Sequence, residues 1–550
     1  GTWVLARSLI QQSEQAPGAV RDLGVGWTVV CKHMPPSSDD PAPKRARTTP
    51  SDTVCDNMIN GELTPPASKS YLDVTSPSDG TVLGKVALSG AEDVEAAVAA
   101  AQAAFPAWNG MTAKSRAAIM FRFHHLMEQH AEELADIIVA ENGKNRGEAL
   151  ASVAKGNETV EWACSMPQLM QGKVLQVSRG IDCRDMREPL GVVACCVPFN
   201  FPVMVPMWTV PIALTAGNCV ILKPSERVPL TAHRVAELLL EAGVPPGVFQ
   251  TVNGAAPAVQ ALCDSPGISA VTFVGSSAVA AKVAERCSAA NASQGSRKRV
   301  LALGGAENHL VALPDCDKES AAHDIVASFA GCAGQRCMAA SVLVLVGDTG
   351  DLLDLVVEKA SQLQPGTAAG QVGPVIDGAS RARLIEYVDK AEAAGSQVLV
   401  DGRPWAKRTP GTWMGPTVLL HSEPVAAEAS GSGGGGGGGE GGGLLEGLLR
   451  TEVFGPVLSV VKVSSMDKAL AMENASPYGN AASVYTSSGA SAEYFQTRAR
   501  AAMIGVNIGI PVPREPFGFG GLFGTHSKFG EGLDITGEGA LEFFTQRRKV

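Results

Sequence analysis

From Tyr71 onward the apolar positions follow two rhythms that alternate along the chain. Short alternating or wholly apolar runs predict strands, and longer runs with apolar residues three or four apart predict helices. Tyr71 to Thr75 and Val82 to Leu88 read as strands around the turn Ser76-Pro-Ser-Asp-Gly80. Ser89-Gly-Ala-Glu-Asp-Val then starts an alanine-rich helix running to about Trp108, with acids in its first turn. Helical patterns follow from Lys114 to Glu141 and from Arg146 to Met170. Next come a strand (Gly191 to Val197), a helix (Val205 to Ala216), a strand (Cys219 to Leu222) and a helix (Thr231 to Ala242). The series continues with strand Val248 to Val252, helix Pro257 to Cys263, strand Ala270 to Val274 and helix Ala278 to Ala289. Such alternation predicts a parallel sheet covered on both faces, and a second α/β region is expected from about Val300 to Arg514.

Three stretches depart from these rhythms. Residues 1–64 lack sustained periodicity and include Pro35-Pro-Ser-Ser-Asp-Asp-Pro-Ala-Pro-Lys-Arg-Ala-Arg47, so they read as a disordered N-terminal segment or the remnant of a targeting region. Arg7, Arg21 and Lys32 suit a transit peptide, whereas Glu14 and Asp22 spoil its acid-poor pattern. Residues 426–449 carry a polyglycine run with nothing to bury, expected to be a flexible surface loop inserted in the second α/β region. No Lys-Ser/Thr follows to meet phosphate and metal, so a phosphate-loop reading fails. Pro189 to Leu222 holds no charged residue, but its five prolines argue for buried strands and a helix rather than a membrane span.

Composition narrows the classes. The chain has 550 residues, 45% hydrophobic and 18% charged, with a net charge of −10. That balance describes a globular protein with sizeable cores and argues against a nucleic-acid partner. The twelve cysteines form no Cys-x-x-Cys pair and do not cluster with the nine histidines at metal-ligand spacing. Reduced thiols are the natural inference.

One thiol stands in unusual company. In Phe329-Ala-Gly-Cys-Ala-Gly-Gln-Arg-Cys-Met-Ala339, Cys337 follows Arg336, Gln335 and Gly334. A guanidinium favours the thiolate, and small neighbours admit a substrate, so Cys337 is a candidate nucleophile. A buried thiol beside a surface arginine would give the same letters. The sheet pattern to its N-terminal side is one that binds nucleotides at strand ends, although outside the polyglycine run it has no Gly-x-Gly-x-x-Gly.

Six separated segments resolve the choice. They are Pro198-Phe-Asn-Phe-Pro202, Leu222-Lys-Pro-Ser-Glu-Arg227, Phe273-Val-Gly-Ser276, Gly334-Gln-Arg-Cys-Met338, Thr451-Glu-Val-Phe-Gly-Pro456 and Pro513-Arg-Glu-Pro-Phe-Gly-Phe-Gly-Gly521. Together they resemble the aldehyde dehydrogenase superfamily from about Asp79 to the end. Within it, Gly334-Gln-Arg-Cys-Met-Ala339, Glu307-Asn-His309 with Pro314-Asp315, and Ile510-Pro-Val-Pro513 resemble the CoA-acylating branch that handles (methyl)malonate-type semialdehydes, as in valine and pyrimidine catabolism.

The resemblance implies an α/β fold of three parts: a nucleotide-binding domain (65–170 and 190–305), a catalytic domain (306–533) and oligomerisation elements (171–189 and 534–550). The last would build a homodimer or homotetramer from a hairpin near Gln171 to Arg187. It implies that the Asn200 amide and the Cys337 backbone N–H stabilise the oxyanion formed when the thiolate attacks an aldehyde. A loop asparagine satisfying its own backbone is the plainer alternative for Asn200. For NAD, the resemblance implies Lys223 and Glu226 at the adenosine ribose with Arg227 nearby, and Ser276 with its helix N-terminus at the pyrophosphate. A solvated charged turn and a plain helix cap are the alternatives there. It further implies Glu452 at the nicotinamide ribose, Phe454 near the ring, and Val197, Phe199 and Gly304 along the cleft. A mitochondrial location also follows from the resemblance alone.

A missing acid is informative. Most of the family places a glutamate 34 residues before the nucleophile to activate the hydrolytic water; the ungapped equivalent here is Leu303. No carboxylate lies between Leu301 and Ala306, and Glu307 is four positions late. An acyl-enzyme without that base is expected to be released by a better nucleophile, which points to the thiol of CoA. A semialdehyde carboxylate calls for a cation; Arg336 and Lys155 are the candidates, Lys155 replacing an arginine of the family. A hydrolytic enzyme using Glu307 and a non-catalytic relative are the rival readings.

Overall fold

The computed structural model describes residues 53–295, 297–422, 447–512 and 514–550. The N-terminal segment before 53 and the polyglycine run within 423–446 lie outside the described residues. Among the described residues the chain builds two large sheets flanked by helices, plus two small three-stranded sheets, one of which pairs Val82–Ala87 with Val54–Cys55 and Tyr71–Thr75.

The first large sheet has eight strands. Arg299–Leu303, Ala270–Val274, Val192–Cys196, Cys219–Lys223 and Phe249–Thr251 run parallel and side by side. Three of them are buried along their whole length and rich in Val, Ile, Leu and Cys, as a strand covered on both faces must be. The uncharged stretch is thus two core strands joined by the buried helix Met204–Ala216; among the described residues no helix is long and apolar enough to cross a membrane.

Both edges of this sheet correct the expected boundaries. Asn57–Ile59 and Glu62–Thr64 extend it antiparallel beyond Phe249–Thr251, so order begins before residue 64. These strands are too short to show a period. They are held by side-chain bonds instead: Asn57 Oδ1 accepts from Ser89 Oγ at 2.9 Å and from the Asn253 N–H at 2.8 Å. At the opposite edge, Lys528–Gly530 pairs antiparallel with Arg299–Leu303, so a segment expected in the catalytic domain completes the nucleotide-type sheet.

The second sheet has seven strands, with Asn308–Ala312 and Ala340–Val346 at its centre and Gln397–Val400 antiparallel at one edge. The long pattern from Lys114 to Glu141 is two helices, Ala113–Gln129 and Ala131–Asn142, broken at His130. In another small sheet Lys173–Ser178, Ile181–Pro189 and Thr545–Lys549 pair antiparallel, joining the hairpin to the C-terminal strand within one chain.

Candidate active site

Four parallel strands end side by side, and a cleft of about 1150 Å³ opens beyond their C-terminal ends. Val197, Lys223, Gly275 and Gly304 each stand at or just after one of those ends and line it. This is where doubly wound sheets receive ligands. Ten of the thirteen residues singled out in the sequence converge here: Val197, Phe199, Asn200, Lys223, Glu226, Ser276, Gly304, Cys337, Glu452 and Phe454.

The cofactor end has the chemistry of a dinucleotide cradle. Lys223 Nζ donates to Glu226 Oε2 at 3.2 Å, a pair that can present both charges to neighbouring hydroxyls. Ser276 is the N-cap of the helix Ser277–Gln294, yet its hydroxyl makes no capping bond and stays exposed. Gly304 and Gly305 admit no larger residue: a Cβ would lie 2.2 Å from His526 O at the first and 2.1 Å from Glu452 Oε2 at the second. A helix N-terminus and a hydroxyl that makes no capping bond, beside glycines that leave the approach clear of side chains, fit a bound pyrophosphate. Phe199 and Phe454 meet edge to face with centroids 6.0 Å apart.

The thiol end is a turn rather than a strand end. The helix Lys318–Ala330 runs into Gly331–Gly334, where Cys332, Ala333 and Gly334 all have positive φ (52°, 52° and 65°). Gly334 is obligatory: a Cβ would sit 2.0 Å from Gly455 O. Beyond it Cys337 is half-buried at the cleft wall. Asn200 Nδ2 donates to Gln335 O at 2.9 Å, which places the amide against the thiol turn rather than on its own backbone. Asn308 Nδ2 donates to both Cys337 O and Ala339 O at 2.8 Å, fixing the residues on either side of Met338. Asn308 gave only a family likeness in the sequence; its role as a staple needs the strand pairing to be seen.

Protonation corrects one expectation. Burial pushes the Cys337 thiol up to about 12, and the Glu452 carboxylate adds to the rise. The backbone N–H groups of Cys337 and Met338 and the Arg336 guanidinium pull the other way and lose. Burial therefore favours the neutral thiol, and the neighbouring guanidinium does not offset it. Burial likewise lifts Glu452 to about 7, against the pull of the Ala306 N–H at 2.9 Å and of Arg383.

Three residues do not join the cleft lining among the described residues. Arg336 turns its guanidinium onto the end of the preceding helix, where Nη2 donates to Ala327 O at 2.6 Å and Ser328 O at 2.9 Å. Carbonyls in the last turn of a helix have lone pairs to spare, so a nearby guanidinium caps them, here beside the Gly331 N–H that already meets Ala327 O. Its buried Nε has no partner. Lys155 pairs with Glu158 at 2.7 Å, one turn along its helix. Arg227 pairs with Asp377 at 3.2 Å. Glu307, the spare base, is buried and accepts from Ser476 Oγ at 3.0 Å; burial lifts it to about 8. Leu303 is buried at its strand end.

A cysteine and an amide thus share one cleft with four strand ends, a helix N-terminus and the Lys223–Glu226 pair. The chain belongs to the aldehyde dehydrogenase family, whose model matches residues 64–429 and 446–550. It is 39% identical over 508 residues to malonate-semialdehyde dehydrogenase 1 of Geobacillus kaustophilus (strain HTA426), covering 92% of this chain and 98% of that one. Among solved structures it resembles methylmalonate-semialdehyde dehydrogenase from Oceanimonas doudoroffii, with TM-score 0.83, 37% identity and coverage of 91% and 98%. A protein of Sinorhizobium meliloti 1021, provisionally described as a methylmalonate-semialdehyde dehydrogenase and complexed with NAD, gives TM-score 0.82, 34% identity and coverage of 90% and 97%.

Proposed function

We propose that this aldehyde dehydrogenase oxidises a malonate-type semialdehyde with NAD and passes the acyl group to CoA. The observation that carries the CoA half is the absence of a carboxylate where the family keeps its hydrolytic base. Leu303 fills that strand end, and Glu307 spends its carboxylate on Ser476. Cys337, once deprotonated, adds to the aldehyde carbon, and the Asn200 amide with the Cys337 N–H meets the oxyanion. NAD, when bound, accepts the hydride that leaves the resulting adduct. Collapse gives a thioester on Cys337, and a β-carboxylate in the acyl group then leaves as CO2. Its bonding electrons pass to the α-carbon as a thioester enolate, and a proton from water replaces it there. The CoA thiolate then displaces the acyl chain, returning the Cys337 thiolate.

NAD over NADP is supported by Glu226, a carboxylate in the cleft lining that would repel a 2′-phosphate bound beside it. The substrate carboxylate would pair with Arg336 and Lys155 only if the substrate draws them from Ala327, Ser328 and Glu158. A second reading, release by water, rests on Glu452: it lies in the cleft near Cys337 and burial lifts it to about 7. CoA decides between them. NADH formation from malonate semialdehyde and methylmalonate semialdehyde is expected to continue past one turnover only with CoA present. Equal steady rates without CoA would assign release to water.

The hairpin bears on assembly. Val174, Leu175, Val177 and Ile181 are each more than half exposed. An apolar strand pair left open to water suits a homodimer or homotetramer, and light scattering of the purified chain tests it. The relatives named above are bacterial and lend a mitochondrial address no support.

A further inference from the structure

We propose that Lys144 and Asn142 are positioning residues for the Asn200 amide, and that the turn carrying them, with Glu148, clamps both walls of the thiol site. The inference rests on reading Cys337 as nucleophile and Asn200 as oxyanion donor, and it goes further by saying what holds the amide in place.

The loop Pro198–Pro202 belongs to no helix or strand for most of its length, so its own backbone does not fix it. Three successive residues of the loop meet one turn instead. Asn142 Nδ2 donates to Phe199 O at 2.9 Å, and Lys144 Nζ donates to Asn200 O at 2.8 Å. The same ammonium stands 4.0 Å from the centre of the Phe201 ring. On the other wall, Glu148 Oε1 accepts the N–H of Cys332, the first left-handed residue of the thiol turn, at 2.8 Å. The Asn200 amide closes the circuit by donating to Gln335 O.

The clamp is rigid and costly. Gly143 has φ +83°, and a Cβ there would lie 2.7 Å from Pro374 Cγ and 2.8 Å from Pro77 Cγ. Gly143 also ends the helix Ala131–Asn142, and Asn145 caps the next by accepting the Glu148 N–H at 2.9 Å. Two helix ends therefore fix the turn from both sides. Lys144 is only 2% exposed. Burying an ammonium is unfavourable unless its contacts are good, and a lysine serving only to fill space would be replaceable by an apolar residue of equal length. Here the ammonium meets the carbonyl of the residue whose side chain does the chemistry. Displacements of about 1 Å at such a donor matter greatly for rate and little for cofactor binding.

Lys144→Met and Lys144→Arg, each alone and combined with Asn200→Ala, test the idea by single-turnover NADH formation from malonate semialdehyde and by NAD titration. Lys144→Met is expected to slow the burst about ten- to a hundredfold, with NAD affinity unchanged within about twofold. Lys144→Arg should restore most of the rate. In the Asn200→Ala background the Lys144→Met change should cost less than about threefold, because the residue it acts through is already gone. An unchanged burst, an equal cost in both backgrounds, or a parallel loss of NAD affinity would each overturn the proposal. If Lys144→Met does not fold by thermal melting, Asn142→Ala removes the other donor, and the same cycle decides. A wild type that forms no NADH, or an Asn200→Ala variant with full burst rate, would remove the underlying reading, a result distinct from any seen in the Lys144 variants.

Discussion

The two ends of the cleft are held in place by different means. The cofactor end is made of strand termini and a helix N-terminus, positions that the sheet itself fixes. The thiol end is a turn of three positive-φ residues and the stretch after it, held from four separate segments by the side chains of Asn200, Asn308 and Glu148 and by the Ile376 N–H, which Gln335 Oε1 accepts. A ligand cradle set by regular structure tolerates the loss of a side chain, because the backbone groups stay where they were. A turn held by individual side chains does not. Substitutions at the thiol end should therefore fall mainly on rate and stability, and those at the cofactor end on affinity.

Substitutions of graded effect test this contrast. Cys337→Ser should reduce NADH formation below about a thousandth of wild type while leaving NAD binding intact, since a hydroxyl is a far weaker nucleophile than a thiolate. A residual rate above that would mean the thiol is not the attacking group. Asn200→Ala should lower the single-turnover rate roughly a hundred- to a thousandfold, the usual cost of one oxyanion donor, with NAD affinity preserved. Gly334→Ala should destabilise the protein by roughly 2–5 kcal/mol in urea unfolding, because the left-handed backbone and the contact with Gly455 O both oppose a methyl group.

At the other end, Glu226→Ala should raise the NAD KM about fivefold with kcat nearly unchanged, and narrow the preference over NADP. A kcat loss as large as that of Asn200→Ala would abolish the contrast. The smallest effect concerns Glu307. Its folded pKa, about 8, exceeds the ordinary carboxylate value, so its contribution to stability is full below about pH 4.5 and lost as pH rises toward 8. Glu307→Gln should therefore leave the melting temperature unchanged near pH 4 and raise it by a few degrees near pH 9.

The same contrast explains what could be read from the letters. Lys223 and Ser276 could be placed at strand ends because the alternation of strands and helices shows where those ends fall, whereas Glu226 and Gly304 came through the resemblance; all four line the cleft. Asn200 and Cys337 were legible as types in unusual company. Arg336 misled: adjacency along the chain does not set direction, and the carbonyls ending Lys318–Ala330 capture its guanidinium. Lys155 is drawn to Glu158 for a similar local reason. Asn142, Lys144 and Glu148 passed unnoticed because their partners lie 57, 56 and 184 residues away. The strands at 57–64 and 528–530 were too short for any period to register.

The late strand Lys528–Gly530 has a consequence for biosynthesis. Some 225 residues separate it from its partner Arg299–Leu303. At ordinary translation speeds of about 5–20 residues per second, the nascent sheet waits roughly 10–45 s with that edge unpaired. An open edge on a ribosome-bound chain can pair with whatever strand comes near, including a neighbouring copy on the same message. Yield in the cell should then depend on how quickly the codons between Leu303 and Gly530 are read, even though the late strand lies far from the thiol in sequence.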